Sequence, residues 1–222
     1  DYDIYKQVLL YSIARQESMF IPSSISFSSA VTEDLDFSKL SSFETLSFGS
    51  GNDSITFGSD EFTSGLRTLN LGDGTNTANL DADTTSAVQV NGGTGTDTFN
   101  LDFSRLSESD YSINGGTGTD TLKLSGSTGA SAISADTDFT TYSTVTNVEK
   151  LDITSLNLNT SNDSTEFNFT EAFLESITGS DTGNLTLSLK SSQVEKIKFT
   201  DSSGVHDSYN TSSASDIADN TT

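Results

Sequence analysis

Asn91-Gly-Gly-Thr-Gly-Thr-Asp-Thr-Phe99 and Asn114-Gly-Gly-Thr-Gly-Thr-Asp-Thr-Leu122 carry one pattern, G-G-x-G-x-D-x-U, in which U is a large apolar residue. Two looser copies lie upstream. Gly49-Ser-Gly-Asn-Asp-Ser-Ile55 lacks the first glycine, and Gly72-Asp-Gly-Thr-Asn-Thr-Ala78 has Asn76 where the others have Asp. The third motif glycine falls at Gly51, Gly74, Gly95 and Gly118, at steps of 23, 21 and 23 residues. A glycine-rich segment that recurs at so even a step marks stacked repeats, each too small to fold alone, and speaks against a single catalytic loop.

Between these segments the sequence alternates. Ile55-Thr-Phe57, Leu69-Asn-Leu71, Val88-Gln-Val90, Phe99-Asn-Leu101 and Leu122-Lys-Leu124 place apolar side chains on one face and polar ones on the other. Leu151-Asp-Ile153, Leu156-Asn-Leu158, Phe167-Asn-Phe169, Leu185-Thr-Leu-Ser-Leu189 and Ile197-Lys-Phe199 continue the pattern. Each strand brings only a few inward side chains, so stacking must supply the core. Longer phrases keep the same register. Leu35-Asp-Phe-Ser-Lys-Leu40 returns as Leu101-Asp-Phe-Ser-Arg-Leu106 after three steps of 22, and Val148-Glu-Lys-Leu151 returns as Val194-Glu-Lys-Ile197 after two steps of 23. The expected fold is all-β: a right-handed parallel β-solenoid of the β-roll kind, with a short N-terminal helix.

The glycine-rich segments contain a chemistry as well as a shape. Glycine permits backbone angles that turn carbonyl oxygens into a tight corner, and Asp adds a hard, charged oxygen. Ca²⁺ takes six to eight oxygens of these kinds, more than one corner offers and about what two stacked corners offer. Stacked strands lie about 4.8 Å apart. At that spacing the charges of Asp97 and Asp120 would repel by about 3 kcal/mol at an effective dielectric of 20, and a cation between them reverses the sign. The expected ligand positions are Gly49, Gly51, Asn52 and Asp53; Gly72, Gly74 and Asn76; Gly92, Gly93, Gly95 and Asp97; and Gly115, Gly116, Gly118 and Asp120. Asn76 removes a charge from its corner, so the Gly95–Gly118 pair of corners is the stronger site. The alternative for the same glycines is a set of tight β-arch turns, capped by the Asp, with no metal.

These runs resemble the calcium-binding nonapeptide repeats of RTX proteins, a group of secreted toxins, proteases, lipases, adhesins and surface-layer proteins. The resemblance covers about residues 45–126, with similar strand-rich sequence to about residue 200. It implies a parallel β-roll holding Ca²⁺ between stacked turns, in a structural or adhesive module that is extracellular or on a bacterial cell surface. Cell-surface glycans or further copies of the chain are its implied partners. The Val-Glu-Lys phrases resemble strands that flank repeats in bacterial surface-layer and adhesin proteins.

Residues 2–20 differ. They contain no Gly or Pro, Ile4, Val8, Tyr11 and Ala14 follow helical spacing, and Pro22 comes soon after. A helix is expected over about 3–19. Ile13-Ala-Arg-Gln-Glu-Ser-Met-Phe-Ile-Pro-Ser-Ser-Ile-Ser-Phe-Ser-Ser-Ala30 resembles the active-site segment of soluble lytic murein transglycosylases, which implies Glu17 as a catalytic acid/base. Beyond Ala30 the chain departs from that family and reads Val31-Thr-Glu-Asp-Leu35, without the helices that build its sugar groove. Cleavage is therefore not expected: the chain is read as no enzyme, with the transglycosylase fragment as the alternative. The divisions are a helical segment at 1–30, repeats at 31–200, and a disordered tail rich in Ser, Asp, Thr and Asn at 201–222. His206 in that tail is expected to be an exposed side chain.

Composition bounds the partners. The 222 residues include 32 acidic and 10 basic side chains, a net charge of −22. That balance opposes nucleic acid, which needs clustered Lys and Arg, and anionic membrane surfaces. There are no cysteines and one histidine, so a structural zinc site is not expected. No apolar run is long enough for a spanning helix, and no cleavable leader is visible. The chain opens on Asp1, as an excised fragment would.

Overall fold

The computed structural model of the chain describes residues 24–26, 44–57, 65–80, 87–103, 105, 111–126, 137–138, 145–156, 167–179, 185–190, 197–201 and 204–206. The expected helix over 3–19, Glu17, Leu35–Leu40 and residues 207–222 lie outside them.

The described residues form mostly strands. In chain order these are β1 (Ser24–Ser26), β2 (Thr45–Ser47), β3 (Ser54–Phe57), β4 (Thr68–Asn70), β5 (Asp73–Gly74), β6 (Thr77–Leu80), β7 (Val88–Gly95), β8 (Thr98–Asp102), β9 (Tyr111–Gly118) and β10 (Thr121–Ser125). Then come β11 (Thr137–Asp138), β12 (Val145–Thr146), β13 (Lys150–Ser155), β14 (Phe167–Thr170), helix α1 (Glu171–Thr178), β15 (Thr186–Ser188), β16 (Ile197–Asp201) and β17 (Gly204–His206). One sheet runs β1-β2-β4-β7-β9-β12, with β5 also on β7, and a second runs β15-β13-β10-β8-β6-β3. All pairs in both sheets are parallel.

The even step of the sequence is the register of these sheets. Thr45 pairs with Thr68, Thr68 with Gln89, and Val88 with Tyr111; Ser54 pairs with Thr77, Thr77 with Thr98, and Thr98 with Thr121. The chain alternates between the sheets, and their inward side chains make one core. Leu46, Leu69, Val90 and Ile113 from the first sheet join Phe57, Leu80, Leu101 and Leu124 from the second in a single buried cluster. Each of these is at most 1% exposed. A one-residue slip would turn a whole row outward, which pins the register.

Outward rows are also ordered. Asn91 Nδ2 donates to Asn70 Oδ1 (2.8 Å), and Asn70 Nδ2 to Ser47 Oγ (3.0 Å). On the second sheet Asn100 Nδ2 donates to Asn79 Oδ1 (2.7 Å), and Asn79 Nδ2 to Thr56 Oγ1 (3.0 Å). Identical side chains stacked in parallel register satisfy one another in this way.

The even step ends after β10. Thr121 pairs with Lys150 and Lys150 with Thr186, at longer intervals. A third sheet opens, β11-β14-β16-β17, in which only β16 and β17 are antiparallel. The two Val-Glu-Lys phrases therefore do not share a register: Leu151 lies in the second sheet and Ile197 in the third. The intervening inserts lengthen the step, and similarity of phrase did not show them.

Helix α1 was not expected in this region. Its start is set by Thr170, whose hydroxyl accepts the Phe173 amide (3.3 Å), and its end by Gly179 in the left-handed region at φ 67°. Phe173, Leu174 and Ile177 form its buried stripe. The Val148 amide donates to the Ile177 carbonyl (2.7 Å) and Ser176 Oγ to the Val145 carbonyl (3.4 Å), so the helix covers the β12 edge of the first sheet. An edge strand with free backbone groups is prone to pair with other chains, and a covering helix blunts it.

Two expected boundaries shift. Ser24–Ser26, inside the transglycosylase-like stretch, is strand β1 and pairs with Thr45–Ser47, so the sheet begins before residue 31. Asp201 and Gly204–His206 are strands, so pairing reaches into the stretch expected as tail.

Candidate cation-binding ladder

The expected ligand positions come together. Gly49, Gly72, Gly93 and Gly116 stack in one file, and Gly51, Gly74, Gly95 and Gly118 in another. At Gly118 φ is 136°, and a Cβ would strike the Gly95 carbonyl. These segments are more strand-like than expected. Gly93, Thr94 and Gly95 pair in register with Gly116, Thr117 and Gly118. The carbonyls of Gly72, Gly74 and Gly95 accept backbone amides of Thr94, Thr96 and Thr119. Each such oxygen keeps one lone pair for other use. Asn52 is exposed, and its Oδ1 accepts the Thr75 amide (2.9 Å).

The acidic positions form a buried file. Asp53 is 2% exposed, and Asn76, Asp97 and Asp120 are 0% exposed. The Asp53 amide donates to Asn76 Oδ1 (2.9 Å), the Asn76 amide to Asp97 Oδ1 (3.0 Å), and the Asp97 amide to Asp120 Oδ1 (2.8 Å). Side chain and backbone thus alternate down the file, and one side-chain oxygen of each of Asn76, Asp97 and Asp120 is used. Asp97 Oδ2 and Asp120 Oδ2 are buried with no hydrogen-bond partner. Burying an ionised carboxylate with an unmet oxygen is costly unless a proton or a cation joins it.

The doubled glycine has its explanation here. Leu71 is an inward-facing core residue just after β4; Gly92 holds the matching inward position in the next repeat. A Cβ on Gly92 would stand 2.6 Å from Asp97 Oδ2, and one on Gly115 would stand 2.6 Å from Asp120 Oδ2. The same Cβ atoms would strike the carbonyls of Gly115 and Asn147 respectively, so the first glycine of the motif makes room both for the backbone of the next repeat and for the second carboxylate oxygen.

Burial pushes the Asp97 carboxyl above its usual range, against the backbone N–H and side-chain amide of Asn76, which lower it. Burial also pushes Asp120 up, to about 6; the Asp97 amide opposes this, and the charges of Asp97 and Glu149 add to it.

The donors fit a hard cation by type: carboxylate oxygen, buried and unmet, with carbonyls close by. Among the described residues no three His, Cys, Asp or Glu side chains converge on one point, so any ion would sit between successive members of the file and draw on backbone oxygens. Sequence reasoning did not single out Glu149, which continues the file, nor the outward Asn rows; Asn91 and Asn114 stand in the quoted runs, but their stacking needs the register to be seen. Among the described residues no helix is long and apolar enough to cross a membrane. No family model, curated protein or solved structure matches the chain.

Proposed function

We propose that the chain is a calcium-stabilised structural module, a right-handed parallel β-solenoid of the RTX kind, serving at a cell surface or in the extracellular space. Its ligands there would be surface glycans or further copies of itself. The observation that carries this reading is the pair of buried, unpartnered oxygens, Asp97 Oδ2 and Asp120 Oδ2, in adjacent members of one file. A domain does not gain from hiding two neighbouring carboxylates unless something neutralises them.

In this reading Asp97 and Asp120 would hold Ca²⁺, with backbone carbonyls of the glycine files completing its oxygens. The ion supplies charge neutralisation and a tie between repeats; no bond is made or broken. The file itself supplies the rest: the amides of Asn76 and Asp97 orient each carboxylate through Oδ1 and leave Oδ2 for the cation.

Calorimetric titration tests it. The wild-type chain is expected to bind calcium with a Kd on the order of 10⁻⁴–10⁻³ M, as extracellular modules do. Asp120→Asn keeps an oxygen for the Asp97 amide, as Asn76 does for Asp53, and is expected to weaken binding more than tenfold. Asp73→Asn, at an exposed position where Oδ1 accepts the Thr94 hydroxyl, is expected to change it less than twofold. No heat of binding in the wild type, or equal losses in the two variants, would contradict the proposal.

A further inference from the structure

The ladder continues past the glycine code, into a segment whose sequence gives no sign of it. Thr146 pairs with Asn114, which sets Asn147 opposite Gly115, and a Cβ on Gly115 would meet the Asn147 carbonyl. In the Gly115 repeat five residues lead from that position to the ladder carboxylate Asp120. In the next repeat Glu149 comes two residues after Asn147. The corner is shorter, and Asn147 takes it with a positive φ of 54°, which side chains other than glycine rarely adopt. The longer Glu side chain makes up the difference. Glu149 Oε2 accepts the Asp120 amide at 2.8 Å, as Asp120 Oδ1 accepts the Asp97 amide at 2.8 Å.

Asp120 is thereby the one member of the described file with a carboxylate on each side. Asp97 has Asn76 on one side, and Asp53 is separated from Asp97 by the same neutral amide. Negative charge is densest at Asp120, whose Oδ2 is fully buried and unpartnered. The basic side chains nearest in sequence do not relieve it: Lys123 and Lys150 are exposed, and Lys123 reaches Asp152 at 4.0 Å.

We infer that Glu149 is the terminal ligand residue of the ladder, contributing a carboxylate oxygen to a cation held on Asp120. This rests on the calcium reading and deepens it: the cation belongs at the Asp97–Asp120–Glu149 end, and the Asp53–Asn76 end lacks the charge to compete. A purely structural Glu149 would act only as an acceptor for the Asp120 amide, a role that Gln fills without bringing a second negative charge. The two roles therefore predict different calcium affinities for the same substitution.

The test uses the full chain, with calcium as the probe, by calorimetric titration and by thermal melting in chelator. Glu149→Gln is expected to weaken calcium binding at least tenfold, and to melt in chelator at or above the wild-type temperature because a repulsion has been removed. Glu149→Asp, too short to span the corner, is expected to lose calcium affinity as well. Asp73→Asn is expected to bind as the wild type does. If Glu149→Gln binds calcium like the wild type, Glu149 is no ligand and the calcium reading stands without it; if it melts lower in chelator, Glu149 does not crowd charge onto Asp120, and the ground for placing the cation at this end falls. If the wild type itself does not respond to calcium, the calcium reading falls first and takes this inference with it.

Discussion

Replacing Gly118 by alanine is expected to destabilise the fold by about 2–5 kcal/mol, and to lower the melting temperature by roughly 4–20 °C, from two additive causes. A side chain in left-handed backbone costs about 1–2 kcal/mol. Gly118 sits there at φ 136°, at the end of β9 and in register with Gly95. The added methyl would also strike the Gly95 carbonyl. Relief means moving a backbone oxygen, and forced displacement in a packed region costs about 1–3 kcal/mol more. The neighbouring Thr117 is exposed and pairs with Thr94, so Thr117→Ala should stay within about 0.5 kcal/mol. Denaturant melts of the two variants decide it. If Gly118→Ala matches Thr117→Ala, the glycine files do not stack as described.

Much of the fold was legible because stacking makes sequence periodic. The glycine steps of 23, 21 and 23 are the same numbers that separate ladder partners: Asn76 from Asp53, Asp97 from Asn76, and Asp120 from Asp97. Period-two alternation found the inward faces, since a strand with one buried face must alternate. What failed is where the step stops being constant. The inserts before β13 and β15 break the numerical register without breaking the local alternation, so Leu151 and Ile197 read alike and lie in different sheets. Helix α1 was legible in principle. Thr170 as cap, the stripe Phe173, Leu174 and Ile177, and Gly179 as stop are ordinary helix signals, but the segment is only eight residues long and follows a strand triplet directly, so its periodicity has little length in which to stand out.

The candidate site was half legible. Asp at three of the four repeats signals a carboxylate file, and Asn76 marks a break in its charge. Burial was not visible, because it depends on Gly92 and Gly115 yielding inward space to an oxygen from the far side of the corner. Glu149 was hidden for a related reason. A residue reaches a given point in space by corner length plus side-chain length, and a shorter corner with a longer side chain leaves no motif.

If calcium binds the ladder as proposed, protons and calcium compete for the same two oxygens, and the chain is expected to show opposite pH trends with and without the ion. In chelator, acidification from pH 7 to pH 4 should stabilise it. Asp120 has a folded pKa of about 6, against about 3.9 in an unfolded chain, and Asp97 is shifted the same way. A raised folded pKa means that the native state takes up protons first. The stabilisation is complete below the unfolded value and is lost as pH rises through 6. Asp120 alone contributes on the order of 2 kcal/mol over that window. Calcium at 100 times its Kd adds about 2.7 kcal/mol per site, but only to the ionised ladder, so this gain should be greatest at pH 7 and above and reduced by about half or more at pH 5. The net charge of −22 also favours compaction in acid by relieving general repulsion, which Asp120→Asn separates: it keeps the general effect and removes the Asp120 step. Thermal melts at pH 7, 6, 5 and 4, each with calcium and with chelator, give the answer. A calcium-induced rise in melting temperature that persists undiminished at pH 5 would mean that the ion binds away from these carboxylates. An acid trend in chelator that is unchanged by Asp120→Asn would mean that the ladder does not carry it.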